Sequence, residues 1–280
     1  MRSVVTVVLW LFTTVALAVA IPTAWTQMHI VDVNGYTAMA KKASNDPALQ
    51  AAVASELTTR AMVLINQRGY KVDPSTVHDV AARYTAGPDF PPKFADANRM
   101  AHSWMFTGAS AQSEGDQWVT DLAGMLKDSA FASMLSNYHV QLPEAVRVPV
   151  TVTTSKILQP GELRPLATWG RWASLAIAVL TGFCALLTLA VARSRGRALA
   201  GLGISALLVG AGGWAAIELG RRRINDALNH TTGDIRRIAD VMVGEAESSL
   251  HQWLDLTLAA GGALIVLGVL AAMLGSMLRH

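Results

Sequence analysis

Residues 256–278 read LTLAAGGALIVLGVLAAMLGSML (Leu256–Leu278), 23 residues without one Asp, Glu, Lys or Arg. About 20 helical residues at 1.5 Å rise cross a hydrocarbon core of roughly 30 Å, so this stretch reads as a membrane span. Three more windows share the property: Ser3–Met28, Trp172–Ala192 and Ala198–Ile217. A buried helix of a soluble protein is rarely that long without a charge. Over 280 residues the chain is 52% hydrophobic and 15% charged, against roughly 25% charged in a soluble domain. The expected fold class is a mainly α membrane protein with four transmembrane helices, a mostly helical extracytoplasmic domain and a small β element. Its expected divisions are span one at 1–25, an outer domain at 26–168, span two at 169–192, a cytoplasmic link at 193–197, span three at 198–219, an outer helical hairpin at 220–254 and span four at 255–278.

Charges set the expected topology. Arg2 precedes span one, Arg193, Arg195 and Arg197 crowd the link between spans two and three, and Arg279 follows span four. The positive-inside rule puts all of these in the cytoplasm of a plasma-membrane protein, with both termini inside. Tryptophan, which prefers the headgroup level, agrees: Trp25, Trp169, Trp172, Trp214 and Trp253 all fall at the outer ends of spans. Arg221, Arg222 and Arg223 on the outer side run against the rule, and parity with the other charges outvotes them. The Ala18-Val19-Ala20 triplet looks like a signal cleavage site, but the uncharged run is longer than a signal core, and a retained anchor is expected.

The outer segment reads as helices. Asp46-Pro47 and Asp73-Pro74 are start signals, a capping side chain followed by proline at the first helical position. Leu49, Val53, Leu57, Ala61, Leu64 and Ile65 recur at helical spacing until Gly69, and Val77, Val80, Ala81 and Tyr84 do so until Gly87-Pro88. Pro91-Pro92 precedes a run from Lys93 to Phe106, and a further helix is expected around Trp118, Leu122, Met125 and Leu126. Val146, Val148, Val150 and Val152 then alternate with polar residues, which predicts a strand held to an edge by Pro149. Between spans three and four, Ile224, Leu228, Ile235, Ile238, Met242, Leu250 and Trp253 form an apolar face opposite Arg236, Arg237, Asp240, Glu245 and Glu247, with a turn at Thr231–Asp234. This predicts an amphipathic hairpin continuous with both spans and standing above the membrane.

Little in the sequence points to chemistry. The single cysteine, Cys184, excludes an intrachain disulfide, and no two of the seven histidines stand at metal-ligand spacing. No phosphate-binding loop or nucleophile motif appears, so no catalytic residue, cofactor or metal is expected, and His102 reads as a structural histidine. The spans hold no ionisable group that would suggest an ion path. Glu218 ends span three beside Arg221 and Arg222, where an end-of-helix ion pair is expected. The spans do carry small residues. Gly261, Gly268 and Gly275 recur every seven positions, Ala272 lies in the same row, and span three holds Gly201 and Ser205. Such stripes permit close helix approach, either within the chain or against another membrane protein. Arg221, Arg222, Arg223, Trp25, Trp169, Trp172 and Trp253 are the candidates for headgroup contact.

The stretches Val31–Tyr36 (VDVNGY), Asp46–Val53 (DPALQAAV) and Ala97–His102 (ANRMAH) resemble a group of actinobacterial integral membrane proteins with one span, a helical outer domain and further C-terminal spans. In layout the chain is also similar to the LucB-type accessory subunit of the Mce lipid importers. That likeness implies a non-enzymatic accessory or assembly subunit, with other integral membrane proteins and membrane lipids as partners and no nucleic acid. The alternatives are an FtsX-like transmitter of force to cell-wall enzymes, or a lipid-binding protein or enzyme acting through the outer domain.

Overall fold

The computed structural model describes residues 2–67, 69–107, 119–121, 147–149, 163–228 and 233–277. The described elements are α1 (Arg2–Thr26), a π-helical turn (Gln27–Val31), α2 (Val33–Ala43), α3 (Pro47–Gln67), α4 (Pro74–Thr85), α5 (Phe90–Thr107), two strands β1 (Val119–Asp121) and β2 (Arg147–Pro149), α6 (Arg164–Val191), α7 (Arg195–Leu228) and α8 (Gly233–Met277). Four helical segments are long and apolar enough to cross a membrane: Val4–Val31, Arg164–Val191, Arg195–Asp226 and Gly233–Leu274. Two compact units emerge. The span unit comprises Met1–Ile30, Thr168–Asn225 and Glu247–His280, and the polar unit comprises Val31–Ala167 and Asp226–Ala246.

The polar unit is built on paired helices, α3 against α4 and α2 against α5. Helix α3 begins where an aspartate can cap it: Asp46 Oδ1 accepts from Ala48 N at 2.7 Å, and Pro47 occupies the first turn, where its missing N–H costs nothing. Gly69, with φ of 77°, follows its end. Along α3, Leu49, Val53, Leu57, Ala61 and Ile65 repeat every four residues and all are buried. They meet Val77, Ala81 and Tyr84 of α4, Phe90 and Phe94 of α5, and Ala40 and Ala43 of α2. Helix α4 is capped by Asp73, whose side chain accepts from Ser75 N at 3.0 Å. These bonds favour the carboxylate and hold its pKa below the ordinary range.

Several expectations change here. Helix α5 starts at Phe90 and takes in both prolines of Pro91-Pro92, because the first turn has no intrahelical donors to lose. Helix α2 goes unmarked in the sequence reading, yet Asp32 caps it by accepting from Asn34 N and Gly35 N at 3.0 and 2.9 Å. The helix expected from Trp118 is contradicted at Val119–Asp121, which is extended; Leu122, Met125 and Leu126 lie outside the described residues. Val119–Asp121 pairs antiparallel with Arg147–Pro149, Thr120 opposite Val148. Three residues a side is too little to stand alone, and the described fold is helical. The rest of the strand expected over Val146–Val152 lies outside the described residues. The stretch expected as a hairpin continuous with both spans is divided between the units. Ile238, Val241 and Met242 of α8 pack on the polar unit's core, and Glu245 pairs with Lys42 at 2.6 Å. These three apolar positions are thus covered by protein, whereas Ile224 of the expected face is exposed.

In the span unit, α6 and α7 are joined by three residues, Ala192–Ser194, so α7 starts at Arg195 inside the expected link. Helix α7 is the most enclosed of the four spans, with 33% of its most apolar window buried. That places it between neighbours.

Candidate functional site: the packed faces of the spans

Two faces of α7 are built from small residues, and each meets a different helix. On one face Gly196, Gly203 and Gly210 recur every seven positions. A Cβ at Gly196 would lie 2.6 Å from both Ala272 N and Gly268 O; one at Gly203 would lie 2.6 Å from Gly261 O and 2.7 Å from Ile265 Cγ1; one at Gly210 would lie 2.6 Å from Leu258 Cδ2. The glycines of α8 are equally tight. A Cβ at Gly268 would lie 2.5 Å from Ala200 N, and one at Gly261 2.9 Å from Gly203 O. Rising numbers on α7 meet falling numbers on α8, so the pair is antiparallel. A seven-residue repeat keeps one side of each helix toward its partner, and in lipid, where apolar burial gives no net drive, such close packing is what holds helices together.

The other face of α7 meets α1 through hydrogen bonds. Trp10 Nε1 donates to Gly201 O at 2.8 Å, and the Thr14 and Ser205 hydroxyls are 2.7 Å apart. Ser205 is 1% exposed. A Cβ on Gly201 would sit 3.6 Å from the Trp10 ring, an ordinary contact, so Gly201 contributes its carbonyl and not its lack of a side chain. Trp10 was not singled out in the sequence; an indole inside an apolar run needs an acceptor, and that need is the signal for it. Ser205→Ala leaves the Thr14 hydroxyl only its own Trp10 carbonyl. The expected loss is about 0.6 kcal/mol, the mean for interhelical hydrogen bonds in bilayers, read as a small shift in detergent-induced unfolding. A loss above about 2 kcal/mol would mean that the hydroxyl pair orders more than itself.

Of the small residues expected to pack or dock, Gly261, Gly268 and Ala272 are therefore engaged with α7, and Gly201 and Ser205 with α1. Gly275 lies in α8, but its surroundings fall outside the described residues. The chain's own helices occupy the described part of these stripes.

The span ends hold aromatic and charged side chains. Trp25, expected at the headgroups, is 8% exposed, donates to Ser249 Oγ at 3.2 Å and stacks on His29 at 5.3 Å. The π turn carries His29 to the edge of Trp253, 5.9 Å away. Trp214 lies 3.9 Å from the His251 ring and donates to Asp255 Oδ1 at 3.3 Å. Trp25 and Trp253 thus serve contacts within the unit, whereas Trp169 and Trp172 of α6 are 70% and 66% exposed and free to meet headgroups. Arg221 pairs with Glu247 of α8 at 3.7 Å, and not with Glu218 in its own helix. Arg222 and Arg223 are exposed, without an acidic partner among the described residues.

In the polar unit, two of the short stretches quoted above meet across α2 and α5. Tyr36 OH donates to Asn98 Oδ1 at 3.3 Å, its ring lies 5.2 Å from that of His102, and His102 stacks on Phe106 at 4.3 Å. Burial raises the Tyr36 pKa above its usual 10.0, which keeps the phenol protonated and able to donate. His102 is 4% exposed and wedged between rings, as a structural histidine should be. No group of three or more His, Cys, Asp or Glu at metal-binding distance occurs among the described residues.

These features define a mainly helical protein with four helices long and apolar enough to span a bilayer. Comparison with protein families, curated proteins and solved structures finds no match.

Proposed function

We propose that this chain is a non-enzymatic integral membrane accessory or assembly subunit of an envelope complex, a lipid importer of the Mce kind being the complex its layout suits best. The observation that carries this reading is the filling of the core between the described helices of the polar unit: Leu49, Leu57, Ile65, Val77 and Phe90 are at most 1% exposed. A lipid carrier or an enzyme acting through that unit would need a concave site with convergent polar groups, whereas a closed helical core suits a domain that others bind. The spans support the same reading. Among the described residues their buried polar side chains are hydroxyls, Thr13, Thr181 and Thr188 bonded within their own helices and Ser205 bonded to α1, with no ionisable relay between them.

The decisive experiment is native purification through this chain in mild detergent, with mass spectrometry of co-purifying proteins and lipids. A defined set of membrane partners is expected, and a monomer without partners would sink the idea. An FtsX-like transmitter is the second reading, favoured by one observation: the single helix α8 supplies Ile238, Val241 and Met242 to one core and Gly261 and Gly268 to the other helix pair. Co-purification with a cytoplasmic ATPase, lost on changing Arg193, Arg195 and Arg197, would favour it.

The reading includes a topology, both ends in the cytoplasm and the polar unit outside. Arg222→Cys, in a chain with Cys184 replaced, is expected to react with a membrane-impermeant thiol reagent added from outside. Labelling only after the membrane is opened would reverse the assignment.

A further inference from the structure

We propose that the α6–α7 junction holds one anionic phospholipid, its acyl chain in an apolar groove and its phosphate on the arginines beside it. The groove has a volume of 410 Å³ and is lined by Leu189, Ala190, Arg195, Gly196, Leu199 and Ala271. That falls within the roughly 300–1,000 Å³ of small-molecule sites. It exists because Gly196 draws α7 against α8 while alanines at 190 and 271 leave the space beside that contact unfilled.

Charge complementarity chooses the occupant. Arg195 lines the groove, and Arg193 and Arg197 flank it in sequence; all three are exposed. None has an acidic partner among the described residues. They also crowd the start of α7, which has no acidic residue in its first turn, where the helix's own partial charge is positive and further cations are unfavourable. Three cations without an acidic partner among the described residues call for an anion, and five apolar positions call for hydrocarbon. A molecule with both parts, at the end of two spans, is a phospholipid with a net negative headgroup. This inference stands apart from the accessory-subunit reading, since it needs no protein partner.

The test uses the full chain, delipidated in mild detergent and titrated by native mass spectrometry. The probes are phosphatidylglycerol and phosphatidylcholine with identical acyl chains. Phosphatidylglycerol is expected to bind at least about five-fold more tightly, and Arg195→Gln to weaken it about five-fold with phosphatidylcholine unchanged, the attraction typical of one basic residue at an anionic surface. Ala271→Leu, which fills the groove, is expected to weaken both lipids, and Arg171→Gln, at the other end of α6, neither. If Ala271→Leu does not fold, the exposed Arg195 variant decides alone. Equal binding of the two lipids, an unchanged Arg195→Gln, displacement of phosphatidylglycerol by inorganic phosphate, or a dimer that Ala271→Leu abolishes would each overturn the proposal.

Discussion

Gly203→Ala is expected to lower the stability of the span unit by about 2–3 kcal/mol, at the upper end of overpacking costs. One methyl group is enough because of what it meets. The added Cβ would lie 2.6 Å from the Gly261 carbonyl oxygen and 2.9 Å from Ile265 N, and backbone cannot rotate away as a side-chain tip can. The two helices must separate, and every contact along the repeat from Gly196 to Gly210 loosens with them. Gly262→Ala is the control, on the same helix one residue from Gly261 with nothing within 4 Å of the new methyl. There the helix preference for alanine, up to about 1 kcal/mol, is expected to make the change neutral or stabilising. Titration of the purified protein with a denaturing detergent reads both variants. Equal midpoints would show that the α7–α8 contact does not limit stability.

Phe90→Ala is expected to cost about 3–5 kcal/mol, the range for buried aromatic truncations. The ring is 0% exposed and lies 6.0 Å from Tyr84 and 5.5 Å from Phe94, so its removal leaves a cavity walled by two other rings that have little to fall against. Domains of this size are stable by only about 5–15 kcal/mol, and a loss of this order should be visible as local opening. Amide hydrogen exchange in α3 and α5 is expected to quicken by two orders of magnitude or more, about tenfold for each 1.4 kcal/mol. Met100→Ala, 52% exposed on α5, should leave exchange unchanged. If both variants exchange alike, Phe90 is not the centre of the core.

How far the sequence could be read depended on the range of the forces involved. The four spans were legible because twenty uncharged residues answer to the bilayer alone, without reference to any other part of the chain. Helices α3 and α4 were legible because Asp46-Pro47 and Asp73-Pro74 carry their own starting chemistry. Helix α2 was not: its cap, Asp32, stands beside a span end, and Gly35 weakens the local helical signal. The packed site was half legible. The seven-residue glycine repeat of α8 is plain, but the facing repeat at Gly196, Gly203 and Gly210 is diluted by Gly201, which meets α1, by Gly212, with nothing within 4 Å, and by Gly213, which faces α8 out of the seven-residue register. The Arg221 partner could not be found locally, because Glu247 competes with Glu218 only once α7 and α8 lie side by side. Ile238 and Met242 belong to the expected apolar face and Val241 does not; what covers all three lies more than a hundred residues earlier.

The distance between partners bears on the order in which the protein can be completed. The bond from Trp10 to Gly201 joins residues 191 apart, and the core of the polar unit takes Ile238, Val241 and Met242 from α8. During synthesis from the N-terminus, the first span must wait, its indole N–H unanswered in a solvent that offers no acceptor, until the third has been made. The polar unit waits longer still, for residues that emerge after three spans. Neither unit can finish before α8 has been made. A nascent chain stopped short of α8 would present one bare apolar core and one unpaired span, the features by which membrane quality control recognises orphans.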